Sequence, residues 1–430
     1  MAIVGGVADR STVGSLLKRV YDKDLQLAIQ NETPFLKYAQ KKSWPLDGED
    51  FYIAVHLQRN AAGTQNTDIG DDLPNSGTPG VVQGKLRAKR IFQAFQIDNE
   101  LIKLADRAPA TFSERVDIIY TDAKQTMLKV VERQLLGDGN ATIATLGTDA
   151  GGSSPRAVTV DDTRFLEEGQ LVQIRNTSND NLIPPASGTA QTDYFTVTSI
   201  GSATSVTLTS NTGGNIPAIT SGWTLVPYLA RTSGSAGSKE FNGMRLVCDN
   251  ASDFMGIAYA TYRRWRGNVV DAAGAAFNPG LISQAIVQAR QISHMKDKPN
   301  VIYTHPVQAH AFIYGNNGTY PDIRYTHGTL DKAKISQAPT FNIDGQDITV
   351  ETALDMVKSD LFMFRTDALL FGELSAPGLE SFGEISILPA ASSTTGRVVA
   401  AQRGWYSWRG ELGCFRRNAF SWVKNLAVPF

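Results

Sequence analysis

The chain has 430 residues, 42% hydrophobic and 19% charged, with 41 Lys and Arg against 42 Asp and Glu. At about 150 residues per domain, that length predicts roughly three domains or one body with large excursions. The composition excludes wholesale disorder and collagen, and the balanced charge argues against a dedicated nucleic-acid binder with a uniformly basic surface.

The start, MAIVGGVADR, lacks the basic-then-apolar order of a signal peptide. No run of about 18 apolar residues follows, so neither export nor a membrane span is expected. The two cysteines, Cys248 and Cys414, are far apart and offer neither a disulfide framework nor a zinc site, which fits a reducing cytoplasm.

Residues 1–45 read as an arm with short helices, carried by Val13, Leu16, Leu17, Val20, Leu25, Ala28 and Ile29 and interrupted at Pro34. Segments 51–58 and 81–97 are strand-like and flank a polar stretch that includes Asp71 and Asp72. Residues 48–97 therefore read as a long hairpin arm. Its return strand places Lys85, Arg87 and Lys89 on one face and turns Arg90 to the other. A lone two-stranded arm is not stable in water, so a neighbouring subunit is expected to cover it.

The strongest helix follows. Thr111-Phe112-Ser113-Glu114 has capping-box spacing, and Phe112, Val116, Ile119, Ala123, Met127 and Val130 recur at helical steps until Gly137 and Gly139. About 25 residues at about 1.5 Å rise predict a stiff spine about 37 Å long.

Beyond a Gly/Ser stretch at 147–154, residues 156–229 turn rich in Thr, Ser, Val and Gly. The segments RAVTVDD, QLVQIRN, YFTVTSIG, SVTLTS and WTLVPY predict a small all-β barrel or sandwich, closed by a second flexible stretch at 232–238. Hinges on both sides mark it as an insertion. Asn278 and Pro279 then open a helix, and residues 276–385 read as a compact α+β unit. The end of the chain alternates as strands, with Trp405, Trp408, Phe415, Phe420 and Trp422 crowded together.

Catalytic and metal-binding patterns are missing from the sequence. His56, His294, His305, His310 and His327 form no ligand spacing and read as structural. Gly84-Lys85 lacks the rest of a phosphate loop, and the carboxylate pairs sit in polar turns. No enzyme activity, cofactor or metal is expected. Two basic-aromatic clusters, Arg263-Arg264-Trp265-Arg266 and Arg416-Arg417, suit core packing or a protein interface, and suit nucleic-acid contact less well at this net charge.

The order of parts resembles the major capsid protein of tailed phages, the Hong Kong 97-type fold, an α+β fold here carrying an all-β insertion. The closing stretch Gly410-Glu411-Leu412-Gly413-Cys414-Phe415-Arg416-Arg417-Asn418-Ala419-Phe420 is similar to the final strands of many coat proteins. The resemblance implies an N-terminal arm (1–47) and an extended loop (48–97), with Asp71, Asp72, Lys85, Arg87, Lys89 and Arg90 at subunit interfaces. It further implies a peripheral domain with the spine (98–155), the β insertion (156–229), a return to the peripheral domain (230–275), an axial domain (276–385) and peripheral C-terminal strands (386–430).

Such a chain self-assembles into hexamers and pentamers of an icosahedral shell around double-stranded DNA, which it touches weakly and without sequence preference. A separate scaffolding protein, a portal and a decoration protein are the implied partners, with assembly in the host cytoplasm and the virion as destination. An encapsulin-like shell around protein cargo, or a β-rich carbohydrate-active enzyme, are the alternatives.

Overall fold

A computed structural model describes residues 34–43, 50–58, 80–98, 109–186, 188–190, 192–233, 238–292, 298–315, 340–343, 346–389 and 398–428. The readings made for residues 1–33, for Asp71 and Asp72, and for His294 and His327 lie outside these described residues.

Strands β1 (Gln40–Ser43), β2 (Asp50–Gln58), β3 (Gly80–Arg87) and β4 (Lys89–Asp98) precede helix α1 (Pro109–Leu136). Seven strands follow: β5 (Ala144–Thr145), β6 (Arg156–Thr159), β7 (Leu171–Arg175), β8 (Leu182–Ile183), β9 (Phe195–Ser202), β10 (Ser205–Ser210) and β11 (Thr224–Pro227). Helix α2 (Met244–Cys248), strand β12 (Asn268–Asp271), helix α3 (Pro279–Ile292), strand β13 (Val301–Thr304) and helix α4 (Pro306–Gly315) come next. The remainder is β14 (Thr340–Ile343), β15 (Gln346–Thr352), β16 (Leu361–Phe364), β17 (Leu369–Pro389), β18 (Val398–Cys414) and β19 (Phe420–Lys424). The chain is thus a mixed α+β protein.

It divides into two units. The described part of the first comprises residues 34–38, 88–98, 109–132, 373–389 and 398–410. Here β4 pairs antiparallel with β18, from Ala401 opposite Asp98 to Gly410 opposite Lys89. Helix α1 presents Tyr120, Ala123, Met127, Leu128 and Val131 as buried residues at helical spacing. Tyr120 stacks obliquely on Phe95 at 4.7 Å, and Tyr406 closes an aromatic triad. Gly404 lies opposite Phe95, where any Cβ would run into the ring. The helix starts at Pro109, two residues before the capping box the sequence suggests, since proline suits a first helical turn. Its 28 residues give a rod of about 42 Å.

The second unit holds residues 39–87, 133–372 and 411–430. Its seven-stranded sheet runs β5-β11-β7-β9-β10-β6, with β8 paired to β7. A bridge between Leu146 and Val160 joins the two ends of that order, so the sheet closes on itself as a barrel. Val158, Val172, Ile174, Phe195, Val197, Val206, Leu208 and Leu225 fill it. Each buried aliphatic of this size stabilises by about 1.5–3 kcal/mol, so the barrel holds a core of its own.

The chain leaves for this barrel at Gly137 and returns at Gly243, where the two backbones touch. Arg245 N donates to Gly137 O at 3.1 Å, and a Cβ on Gly243 would collide with that same oxygen. The ion pair of Arg133, at the end of helix α1, with Glu240 clasps the outgoing and returning segments of the stem.

A six-stranded sheet, β12-β19-β16-β13-β15-β14, forms the rest of this unit. Helix α3 covers it through Ile282, Ala285 and Ile286, packed on Val270, Ile302, Met363 and Val423.

Three sequence boundaries are corrected. Residues 48–97 are not one hairpin: the return strand breaks at Ala88, β3 pairing with β2 while β4 pairs with β18. The C-terminal stretch 386–430 does not stay together, because β19 is an inner strand of the six-stranded sheet. Residues 230–275 lie in the second unit, where their strand β12 is an edge of that sheet and Ala230 and Arg231 stay with the barrel.

Candidate functional site

The candidate site is the outer face of the β2–β3 hairpin, in the second unit. Alternation along β2 turns Phe51, Ile53, Val55 and Leu57 to a buried face, joined by Leu86 of β3. This side is seated on its own chain. Gly84 lies against Met255 and Ile257, and Leu86 fills the space that a side chain at Gly413 would need. The hairpin therefore does not depend on a neighbour for cover on this face, which corrects the expectation of a wholly unsupported arm.

The support is a tight turn. Met255 and Gly256, at φ 55° and 71°, form the corner between the bridged residues Phe254 and Ile257. Left-handed conformation at both central positions is the signature of a type I′ turn. The carbonyl of Met255 thereby points at the outer edge of β3 and accepts the Lys85 N–H at 2.8 Å.

Behind the turn stands Arg417, fully buried. Its guanidinium donates to the carbonyls of Leu246 (2.8 Å), Val247 (3.0 Å) and Ser252 (2.6 Å), with Trp265 O at 3.4 Å and Ser252 Oγ at 3.3 Å. The first two are end carbonyls of α2, which a cation satisfies well. Burial pushes its pKa down. Trp265 is buried beside it, stacked on Phe254 and donating Nε1–H to Phe254 O at 2.9 Å.

Arg417 and Trp265 are thus framework, the core-packing alternative of the sequence reading, and their listing as possible interface or nucleic-acid contacts is corrected: the guanidinium is occupied by main-chain oxygens. Arg416 pairs with Asp367 at 3.0 Å, and Arg266 donates to Tyr259 O at 2.9 Å. Arg263 is exposed and Arg264 half-buried.

The open face carries Tyr52 (55% exposed), Val81 (57%) and Lys85 (53%), together with Ala54, His56, Gln83 and Arg87. Lys85 Nζ meets Asp50 Oδ2 at 2.7 Å, and that hydrogen bond and charge raise its pKa. The Tyr52 ring and the aliphatic Val81 beside cations, on a rigid seated sheet, suit contact with another protein surface rather than chemistry. Lys89 and Arg90 belong to β4 in the first unit, so the sequence-predicted cationic row is divided between two sheets. There Arg90 lies over the Phe92 ring at 3.9 Å.

Both cysteines are buried. Burial raises the Cys248 thiol well above its ordinary range and pushes Cys414 up to about 12, which removes them as nucleophiles. Among the described residues no group of His, Cys, Asp and Glu could hold a metal ion, and no helix is long and apolar enough to cross a membrane. Sequence reasoning missed the Met255-Gly256 turn, whose only signal was a glycine between two short apolar runs.

No family model and no curated protein matches the chain. Among solved structures it is similar to a chain of the cyanophage A-1(L) capsid asymmetric unit, at 10% identity and a TM-score of 0.47, over 92% of this chain and 93% of that one. It is similar to a chain of Mycobacterium phage Adephagia at 9% identity and a TM-score of 0.44, over 97% and 98%. A holo-SrpI encapsulin complex from Synechococcus elongatus PCC 7942 matches over 38% of this chain and 54% of its own, at 10% identity and a TM-score of 0.25.

Proposed function

We propose that this chain is a major capsid protein, a structural subunit of the virion that assembles with copies of itself into hexamers and pentamers of a closed shell around double-stranded DNA. The observation that carries the reading is the β2–β3 hairpin: one face is locked to its own chain, and the other offers Tyr52, Val81, Lys85 and Arg87 outward. A rigid presenter with an amphipathic face is what a subunit contact requires.

The mechanism is burial. Obligate interfaces cover about 2,000–5,000 Å². At about 25 cal/mol per Å² of apolar area, contacts that are weak one by one become a cooperative shell after association costs are met. The buried Arg417 framework supplies stiffness, so little conformational entropy is lost on docking. The near-neutral charge of the chain keeps contact with packaged DNA weak and non-specific. A scaffolding protein, a portal and a decoration protein are the further partners.

The test is electron microscopy and sedimentation of the purified chain, with and without co-expressed scaffold. Closed particles or capsomer rings are expected, with DNA as the content of particles recovered from an infected host. A monodisperse monomer under all conditions overturns the reading, and particles filled with a protein cargo favour an encapsulin-like shell instead.

A further inference from the structure

A cleft of about 390 Å³ lies between the barrel and the loop joining β15 to β16, lined by Asp161 and Arg164 on one side and by Asp355, Met356 and Lys358 on the other. Arg164, in the β6–β7 connection, reaches across it: its Nη1 donates to Met356 O, while its Nε faces Asp162 Oδ2 at 3.2 Å.

The loop at 353–360 is held from the other side by four donors, one of them the Leu426 main-chain N–H on Ser359 O at 2.9 Å. Thr304 Oγ1 donates to Asp360 O at 3.1 Å, Gln308 Nε2 donates to Lys358 O at 2.7 Å, and Arg245 binds the Asp360 carboxylate at 2.7 Å. Thr304 ends β13 and Gln308 lies in the first turn of α4, and between them sits His305. Its imidazole, 8% exposed, caps that helix: Nδ1 accepts the Val307 N–H at 3.1 Å, so in the neutral ring the proton is on Nε2.

A proton on Nδ1 would remove the acceptor and set a cation against the unsatisfied N–H groups of a helix start. The charged groups that act on the ring are Arg164 and Lys358, both repelling the proton, and Asp162, which favours it. Asp360 is already engaged by Arg245.

We propose that His305 is an acid-sensitive catch. Neutral, it caps α4 and keeps Thr304 and Gln308 on the loop that Arg164 grips; protonated, it frees that loop and with it the grip of the barrel on the six-stranded sheet. Burial, then Arg164 and Lys358, lower the pKa of His305 below its ordinary 6.5. A group held below its open-state value stabilises the closed form above about pH 6.5, and that stabilisation is lost as the pH falls toward the lower, closed-state value.

Hydrogen exchange of the full chain, followed by mass spectrometry at about pH 7.5 and about pH 5 with intrinsic rates corrected, tests this. Residues 353–360 are expected to exchange about tenfold faster in acid. His305→Asn, which keeps a capping oxygen that does not titrate, is expected to hold protection at both pH values, whereas His310→Gln keeps the wild-type acid loss. Arg164→Met is expected to raise exchange at both. Wild-type protection that is flat with pH, an equal acid loss in His305→Asn, or unaltered protection in Arg164→Met overturns the proposal. Should His305→Asn fail to fold, NMR titration of the wild-type ring decides: a pKa at or above the ordinary value overturns it.

Discussion

The main-chain N–H of Lys85 is bound to the carbonyl oxygen of Met255 at 2.8 Å, so the edge of β3 is held by a turn whose two central residues both lie at positive φ. Gly256→Ala puts a Cβ into that conformation and is expected to cost about 1 kcal/mol. A urea midpoint below wild type, with an unchanged slope, is the expected readout; an unchanged midpoint would show that the turn is not strained by a side chain.

Lys85 and Arg87 share the open face, and Lys85 is paired with the partly exposed Asp50. Exposed pairs of this kind contribute little to folding. The double variant Lys85→Glu/Arg87→Glu is expected to melt within a few degrees of wild type yet to form far fewer particles on sedimentation. Undiminished particle yield would remove the hairpin face from the interface.

Neighbouring arginines should behave unlike each other. Arg417→Met strands the carbonyls of Leu246, Val247 and Ser252 and is expected to destabilise by about 3–5 kcal/mol. Arg416→Met breaks a half-exposed pair with Asp367 and is expected to cost less than about 1 kcal/mol. Chemical denaturation of the two variants side by side checks the contrast.

The thiols predict alkaline behaviour. In the folded chain Cys414 titrates at about 12 and Cys248 also well above 9.0, the ordinary value each regains on unfolding. Above about pH 9 the unfolded chain therefore binds fewer protons than the folded one, and stability falls as the pH rises. A thiol reagent at neutral pH is expected to label neither cysteine until denaturant is added, and Cys414→Ala should flatten the alkaline decline.

Five of the seven barrel strands were legible because each is a local pattern: RAVTVDD, QLVQIRN, YFTVTSIG, SVTLTS and WTLVPY each contain an observed strand, whereas the two-residue β5 and β8 are too short to show one. The break at Ala88 was not legible. Residues 81–97 alternate without a glycine or proline near position 88, and the switch is made by partners far away, Leu86 finding Gly413 and Arg90 lying opposite Arg409. For the same reason Arg416 and Arg417 look alike as letters. The 3₁₀ turn at Arg417–Ala419 sends one inward and leaves the other beside Asp367. The latch of Arg164, Met356 and His305 joins three separate stretches and left no local trace.

Because the backbone exits at Gly137 and re-enters at Gly243 within hydrogen-bonding reach, whatever lies between them is spliced into the body at a single point. The body sets no length or width for such a cassette, only that its two ends be adjacent. Provided that Glu240, which neutralises the buried Arg133, and its flanking stem residues are kept, the barrel beyond them could be traded for an unrelated fold with neighbouring termini at the cost of the reach of Arg164, so this junction is a natural port for displaying foreign domains.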